Sequence, residues 1–86
     1  MAKKTVLITG CSTGIGRLTA LTFQARGWNV VATMRSPEQE KQLEGLDSVV
    51  VTRLDVTDSE SIATAVESAI AHFGKIDVLL QRERGP

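Results

Sequence analysis

Four short apolar runs, separated by longer segments with helical spacing, are the feature that most limits how this chain can fold. The runs are rich in β-branched or large apolar residues, as buried strands are. They are Val6–Thr9, Val30–Thr33, Val49–Leu54 and Val78–Leu80. Strands that alternate with helices indicate right-handed crossovers onto a parallel sheet. The sequence therefore predicts an α/β fold with helices on both faces of about four parallel strands, which is half of a doubly wound fold.

The segments between these runs have the spacing of amphipathic helices. In the first segment the residues that share one helical face are Ile15, Leu18, Thr22 and Ala25. In the third segment they are Ile62, Val66, Ala69, Ile70 and Phe73. The third helix is predicted to begin near Thr57 or Asp58 and to end at Gly74. The middle segment is shorter, and the letters SPEQ at 36–39 form a capping-box arrangement with Pro37 at the first helical position.

The composition of the chain argues against several classes of protein. Its 86 residues make one small domain, and its 10 basic and 10 acidic side chains cancel, so we expect no nucleic-acid partner. The single cysteine, Cys11, excludes an internal disulfide and is compatible with a reducing compartment, which makes a cytoplasmic location the expectation. The apolar runs are far shorter than the ~18 residues that span a bilayer, and the first lacks the features of a signal peptide. We therefore expect no membrane partner.

A glycine-rich loop follows the first apolar run, in the stretch TVLITGCSTGIG at residues 5–16. In a doubly wound sheet, ligands bind beyond the carboxyl ends of the strands where the strand order reverses, and this loop occupies that position. Gly10 can take a positive φ, Gly14 lets a ligand approach the backbone, and Gly16 lets the next helix pack closely. Because a helix N-terminus favours an anion, the loop predicts a pyrophosphate site. The alternative is a turn that only joins a strand to a helix.

Two further residues follow the next two strands at the same edge of the sheet. Where NAD-binding folds place an acidic residue that binds the ribose hydroxyls, this chain has Arg35, whose planar donor fork suits a 2′-phosphate. We therefore favour NADP, with a solvated surface arginine as the alternative. Asp55 directly follows the third run, in the letters LDVTD, and a cap or turn acid ahead of the third helix explains it nearly as well as a ligand contact does.

Cys11 and His72 are reactive residue types to which we assign no chemistry. A thiol beside a helix N-terminus can be nucleophilic, but no partner base is identifiable for Cys11, which we interpret as a small loop residue. His72 lies near the end of the third helix, where a cation interacts well with the helix dipole, and no second histidine or cysteine stands near it. The sequence thus predicts neither a catalytic nor a metal-binding residue.

Together, four motifs resemble the N-terminal part of a short-chain dehydrogenase/reductase. They are TGCSTGIG at 9–16, Arg35, LDVTD at 54–58 and GKIDVLL at 74–80. The resemblance implies a Rossmann-type domain that binds NADP, with NAD less favoured, and a small carbonyl or alcohol substrate for the full-length enzyme. It implies that the pyrophosphate lies against Gly10, Ser12, Thr13, Gly14, Ile15 and Gly16. It also implies that Asp55 accepts a hydrogen bond from the adenine amino group and that Val56 packs on the ring.

The chain departs from the family pattern after the fourth run. Residues 1–80 are predicted to form a partial dinucleotide-binding domain, and QRERGP at 81–86 a divergent tail, which we interpret as a frame-shifted continuation, a truncation or an alternative exon. The family's catalytic serine and Tyr-x-x-x-Lys motif lie later, and this chain contains no tyrosine. The resemblance therefore implies a cofactor-binding part that is inactive by itself. Two alternatives stay open: a stand-alone nucleotide-binding module, and an interaction protein that self-associates through the exposed edge of its fourth strand.

Overall fold

The structure, a computed structural model, describes residues 3–11, 14–39 and 43–81. Within these ranges, strands and helices alternate along the chain as the sequence predicts. In order they are β1 (Thr5–Ile8), α1 (Gly14–Ala25), β2 (Asn29–Met34), a 3₁₀ turn (Pro37–Gln39), β3 (Val49–Arg53), α2 (Ser59–Phe73) and β4 (Val78–Leu80). Each strand end lies within one residue of its predicted position, which is the usual uncertainty of such boundaries.

The described strands form one parallel sheet in the order β3-β2-β1-β4. Leu7 of β1 stands opposite both Val31 of β2 and Leu79 of β4. The strand order reverses at β1, because the chain moves outward from β1 to β3 and then crosses over to β4 on the other side. This topology confirms the predicted fold class, a Rossmann-like α/β fold built on a four-stranded parallel sheet.

The core lies in two layers, one on each face of the sheet. The layer that includes α1 contains Val6, Ile8, Cys11, Ala20, Val30, Ala32, Met34 and Leu43. The layer that includes α2 contains Leu7, Val31, Leu54, Ala65 and Ala69. Successive residues of a strand point to opposite faces, so neighbours such as Val6 and Leu7 serve different layers. The helices therefore cover both faces of the sheet, as predicted.

The ends of α2 are fixed by two caps that the sequence predicts. The Asp58 carboxylate accepts a hydrogen bond from the Glu60 backbone N–H at 3.1 Å. Gly74 takes a left-handed conformation, with φ of 82°, and its N–H donates to the Ile70 carbonyl at 2.8 Å. Both contacts satisfy backbone groups that the end of a helix leaves without a partner inside the helix. They fix where the chain leaves β3 and where it approaches β4.

In both helices the fully buried residues are small, and several of the large apolar residues that the helical spacing places on one face are exposed. In α1, Ile15 and Leu18 are 63% and 64% exposed, and the buried residues are Gly16 and Ala20. In α2 the buried residues are Ser61, Ala65 and Ala69. The exposed apolar residues of α2 are Ile62, Val66 and Ile70. Small side chains let the helix axis approach the sheet, so small residues form the centre of the packed face. Of the predicted α2 face, Ala69 is buried and Phe73 packs partly buried against the same layer.

The middle segment begins at the predicted proline but forms only a single 3₁₀ turn, Pro37–Gln39, within the described residues. Such turns are commonly short connectors. The buried side chain of Leu43 then anchors the chain to the α1 layer before β3 begins. Residues 40–42 and most of the predicted divergent tail, at 82–86, lie outside the described residues.

Candidate nucleotide-binding site

The turn that leaves β1 is held by hydrogen bonds to both neighbouring strands. The Thr9 N–H donates to the Leu80 carbonyl at 3.0 Å, and the Cys11 N–H donates to the Thr33 carbonyl at 3.0 Å. Between them Gly10 has φ of 70°, a conformation that residues with a Cβ rarely adopt. The positive φ predicted for Gly10 is confirmed. The chain therefore turns sharply at the carboxyl edge of the sheet, beside the point where the strand order reverses.

Gly14 and Gly16 differ in the space around them. A Cβ added at Gly16 would stand 2.1 Å from the Gly10 carbonyl oxygen, so α1 packs against the turn in a way that excludes a side chain. Apart from its chain neighbours and the nearby backbone of its own helix, a Cβ added at Gly14 would meet no heavy atom of the described residues within 4 Å. The packing of the described chain therefore explains the glycine at Gly16 and leaves the glycine at Gly14 unexplained, with open space beside its backbone.

The helix that follows this turn begins next to the open space. α1 starts at Gly14 and has no acidic residue in its first turn, so no carboxylate of that turn compensates the positive end of the helix dipole. Ile15 exposes its side chain at the same end. Ser12 and Thr13 lie outside the described residues, and their contacts with a pyrophosphate stay a prediction.

Arg35 and Asp55 lie at the same edge of the sheet, after β2 and β3 respectively. Arg35 is exposed and directly follows Met34, whose side chain is buried at the end of β2. Its positive charge is one of the causes that lower the pKa of Asp55. The two residues, one assigned to the ribose and the other assigned to the adenine by the family resemblance, therefore lie at one edge of the sheet, where their charges interact.

The Asp55 carboxylate also has a structural task. Its Oδ1 atom accepts hydrogen bonds from the Thr57 backbone N–H at 3.0 Å and from the Thr57 hydroxyl at 2.7 Å. The backbone bond, followed by the hydroxyl bond, is the largest cause that lowers the pKa of Asp55, with smaller contributions from Arg35 and Arg53. Its Oδ2 atom lies 4.0 Å from Arg53 Nη2. These interactions favour the ionised carboxylate. Asp55 therefore acts as a turn acid in the structure, which is one of the two interpretations of its position in the sequence.

Ser61 holds the same turn and was missed by the reasoning from sequence. Its hydroxyl oxygen accepts a hydrogen bond from the Asp55 backbone N–H at 2.9 Å. The hydroxyl proton faces two acceptors, the Asp55 carbonyl at 3.0 Å and the Asp58 carbonyl at 2.8 Å. The side chain is buried. A sequence signal for the burial of Ser61 exists: Ser61, Ala65 and Ala69 are small residues spaced four apart, and they form the face of α2 that packs on the sheet.

Arg53 and Val56 complete the surroundings of Asp55. The Arg53 guanidinium, at the end of β3, lies 3.4 Å from a carboxylate oxygen of Asp58 and thereby links the strand to the cap of α2. Val56 is 46% exposed, so an apolar side chain stands at the surface directly after Asp55. An ionised acceptor beside an exposed apolar side chain is an arrangement that suits a flat heterocycle with an amino group.

The other reactive residues lie away from this edge or inside the core. Cys11 is buried, and its Sγ lies 3.4 Å from the Ile8 carbonyl oxygen. His72 is exposed in the last turn of α2, with Nδ1 2.9 Å from the Ser68 carbonyl oxygen. Lys75 pairs at 3.5 Å with Asp77, before β4 begins and so at the amino edge of the sheet. Among the described residues, no three histidine, cysteine or acidic residues stand close enough to hold a metal ion.

A parallel sheet whose first turn is glycine-rich and faces the point of strand reversal defines the Rossmann-like class of α/β domains. Within that class, a sequence model of the family described as short chain dehydrogenase matches residues 4–82. The chain belongs to the short-chain dehydrogenase family.

In the described residues, no helix is both long and apolar enough to cross a membrane.

Individual relatives agree with this assignment and are much longer than the chain. A short-chain dehydrogenase of Penicillium crustosum is 47% identical over 75 residues, which are 86% of this chain and 28% of the relative. An uncharacterized oxidoreductase of Bacillus subtilis is 40% identical over an alignment of 87 positions, which covers 93% of this chain and 30% of the relative. The chain thus spans less than a third of the length of these relatives.

Solved structures show the same fold with the same partial coverage. The 3-ketoacyl-(acyl-carrier-protein) reductase from Brucella melitensis, complexed with NADH, superimposes with a TM-score of 0.83 at 31% identity, over 91% of this chain and 33% of that one. A short-chain dehydrogenase from Streptomyces avermitilis gives a TM-score of 0.82 at 36% identity, over 92% of this chain and 30% of that one.

Proposed function

We propose that this chain forms the NADP(H)-binding part of a short-chain dehydrogenase, with the pyrophosphate held at the turn between β1 and α1. The observation that carries the proposal is the contrast between Gly14 and Gly16. Gly16 is required by packing, whereas a Cβ at Gly14 has no heavy atom of the described residues within 4 Å apart from its chain neighbours and the nearby backbone of its own helix. A glycine that the fold does not require, at a helix N-terminus beside the strand reversal, is best explained by a ligand that approaches its backbone.

The adenine end of the cofactor fits the turn after β3. One oxygen of the Asp55 carboxylate is used by Thr57, and the other faces only Arg53 at 4.0 Å among the contacts that the structure gives it. That second oxygen is available to accept a hydrogen bond from the adenine amino group. Val56 offers an exposed apolar side chain for the ring, and Ser61 fixes the backbone of the turn.

The choice of NADP over NAD rests on Arg35. No acidic residue stands directly after β2, and an exposed guanidinium stands where a carboxylate would bind the ribose hydroxyls. A planar, permanently charged donor fork suits the 2′-phosphate that distinguishes the two cofactors. The Brucella reductase was solved in complex with NADH, so the shared fold supports the binding of a dinucleotide cofactor. Arg35 is the residue that favours NADP, the dinucleotide with the additional phosphate.

The bound cofactor supplies hydride, and the groups that complete the reaction belong to the rest of the family's domain. Reduction of a carbonyl needs a proton donor and a group that stabilises the developing alkoxide. The family's tyrosine has no counterpart in this chain, which contains none. We therefore propose that a small carbonyl or alcohol is the substrate of the whole dehydrogenase, that this part alone has no turnover, and that it works in the cytoplasm.

A titration of the purified chain with NADPH, followed by nucleotide fluorescence and by the melting temperature, tests this function. Gly14→Val should abolish the response, because its side chain fills the open space without a clash against the described residues. Ala25→Val is the control, since it places a valine at an exposed position at the other end of α1. Equal NADPH binding by the wild type and Gly14→Val would overturn the assignment. Tight binding by a stable monomer would instead favour a stand-alone nucleotide-binding module.

A further inference from the structure

The main chain of Asp55 is held by a side chain that comes from α2. The buried Ser61 hydroxyl accepts a hydrogen bond from the Asp55 N–H at 2.9 Å and lies 3.0 Å from the Asp55 carbonyl oxygen. One side chain therefore contacts the peptide units on both sides of Asp55. Ser61 belongs to the face of α2 that packs on the sheet, with Ala65 and Ala69, so the core fixes its position.

Backbone hydrogen bonds hold the same residue from the side of the sheet. The Leu54 N–H donates to the Met34 carbonyl at 2.9 Å, so the residue before Asp55 is bound to the residue before Arg35. The Asp58 N–H donates to the Asp55 carbonyl at 2.8 Å and closes the turn. Asp55 is thus fixed between β2 and α2, next to a backbone bond that also positions Arg35.

The Thr57 residue decides which carboxylate oxygen of Asp55 the turn uses. Oδ1 accepts hydrogen bonds from the Thr57 N–H at 3.0 Å and from the Thr57 hydroxyl at 2.7 Å. Two donors on one oxygen restrict rotation of the carboxylate. Oδ2 lies 4.0 Å from Arg53 Nη2, which is beyond hydrogen-bond distance. The turn therefore keeps one acceptor oxygen at a defined place, beside the exposed side chain of Val56.

We infer that Ser61 and Thr57 are positioning residues that make the site selective for adenine over hypoxanthine. The inference rests on the proposed function, in which Asp55 accepts from the adenine amino group, and both residues act through Asp55. Hypoxanthine has a carbonyl in place of that amino group and carries its donor on the neighbouring ring nitrogen. A carboxylate free to shift would accept from that nitrogen, whereas one held in place meets the carbonyl, an acceptor, and rejects the base.

A purely structural role for the two hydroxyls leads to a different expectation. The N-terminus of α2 has its own cap, because the Asp58 carboxylate accepts from the Glu60 N–H. If the Ser61 and Thr57 hydroxyls only strengthened this end of the helix, their loss would lower stability and weaken the binding of both nucleotides by the same factor. If they position Asp55, their loss also changes the ratio of the two affinities.

The test measures, by fluorescence titration, the affinities of the full chain for NADPH and for its analogue with hypoxanthine in place of adenine. The wild type should bind NADPH about tenfold or more tightly than the analogue, as loss of a hydrogen bond to a charged group predicts. Ser61→Ala should lower this ratio to about threefold or less, and Thr57→Val, which removes one hydrogen bond, should lower it about threefold. Ser59→Ala is the matched control, because it makes the same substitution at an exposed position in the first turn of α2, and it should keep the wild-type ratio.

Circular dichroism and thermal melting first establish which variants are folded, and Thr57→Val, a change to an exposed side chain, decides the matter if Ser61→Ala does not fold. A reduced ratio in the folded variants, with the wild-type ratio in Ser59→Ala, supports the inference. A folded Ser61→Ala or Thr57→Val chain that keeps the wild-type ratio overturns the inference and leaves the proposed function standing. A wild type that binds neither nucleotide overturns both. Equal binding of the two nucleotides by the wild type overturns the inference and the assignment of Asp55 to adenine, but not the pyrophosphate site.

Discussion

At the residue scale, Asp55 divides its two carboxylate oxygens between the fold and the surface. Oδ1 accepts both hydrogen bonds from Thr57, and Oδ2 has only the 4.0 Å approach of Arg53 among its given contacts. The sequence showed an acid at the end of a strand, and from that position a turn and a ligand contact were nearly equal explanations. In the structure the turn uses Oδ1, and the ligand contact stays a prediction for Oδ2, since each carboxylate oxygen carries two lone pairs.

Arg35 provides the sharpest test of cofactor preference. Arg35→Asp should weaken NADPH binding about tenfold or more beyond its effect on NADH, because it replaces a charged donor fork with a carboxylate that repels the 2′-phosphate. Arg26→Asp is the control, since Arg26 is exposed after the end of α1, at the opposite edge of the sheet. Affinities for both nucleotides are measured by fluorescence titration. An equal loss for NADPH and NADH would leave Arg35 a surface charge.

Asp77 should make the stability of the fold depend on acid. Its Oδ2 accepts from the Thr5 backbone N–H at 2.8 Å, which is the main cause of a pKa below the usual 3.8, and Lys75 adds a smaller contribution. Because the folded pKa is the lower one, this stabilisation is present above pH 3.8 and is lost as the pH falls through the folded value. Urea unfolding between about pH 5 and about pH 2 should therefore show a smaller loss of stability in Asp77→Asn than in the wild type.

The Lys75→Met variant separates the two contributions to that acid dependence. It removes the charge beside Asp77 but keeps the hydrogen bond from Thr5, so most of the wild-type pH dependence should remain. If Asp77→Asn loses stability in acid as steeply as the wild type, the carboxylate contributes nothing to the folded state through its ionisation.

At the scale of elements, the sequence predicted where helices and strands lie better than it predicted which side each helix buries. The caps at Asp58 and Gly74 are local chemistry, since a side-chain acceptor and a left-handed glycine act within one turn. The buried face depends on what covers it. A line of isoleucine and valine at helical spacing shows only that an apolar stripe exists. In α2 the sheet is contacted by Ala65 and its small neighbours, together with Phe73.

Paired substitutions in α2 test this assignment of faces. Ala65 is fully buried, so Ala65→Leu should lower the free energy of unfolding by about 1–3 kcal/mol through overpacking. Val66→Leu adds volume one position later, where the side chain is 40% exposed, and should change stability by less than about 0.5 kcal/mol. Urea unfolding of both variants measures the difference. The reverse order would mean that the large residues of α2 form its packed face.

At the scale of the whole molecule, the described residues leave one side of the sheet uncovered, beside β4. A chain this short buries only somewhat more than ~60% of the surface that it exposes when unfolded. Ile70 and Leu79 add exposed apolar surface on the side of β4. An edge strand and an apolar flank side by side are features that a complete doubly wound sheet covers with its next strand and helix. The sequence alone showed the edge at Val78–Leu80, whereas the exposed flank of α2 became visible only from the packing.

The same incompleteness leads to the prediction that this chain alone catalyses no reduction of a carbonyl by NADPH. Hydride transfer to a carbonyl leaves charge on oxygen, and without a positioned proton donor the reaction loses the ~10²- to 10⁴-fold help of general acid catalysis. Lys75 does not replace that donor, because it pairs with Asp77 at the amino edge of the sheet, far from the turn at Gly10. The assay follows NADPH absorbance with the purified chain and a panel of ketones, quinones and aldehydes, beside the full-length Penicillium relative. Saturable oxidation by the chain that survives repurification and disappears in Gly14→Val would contradict the prediction, because it would require a proton donor within this part of the fold.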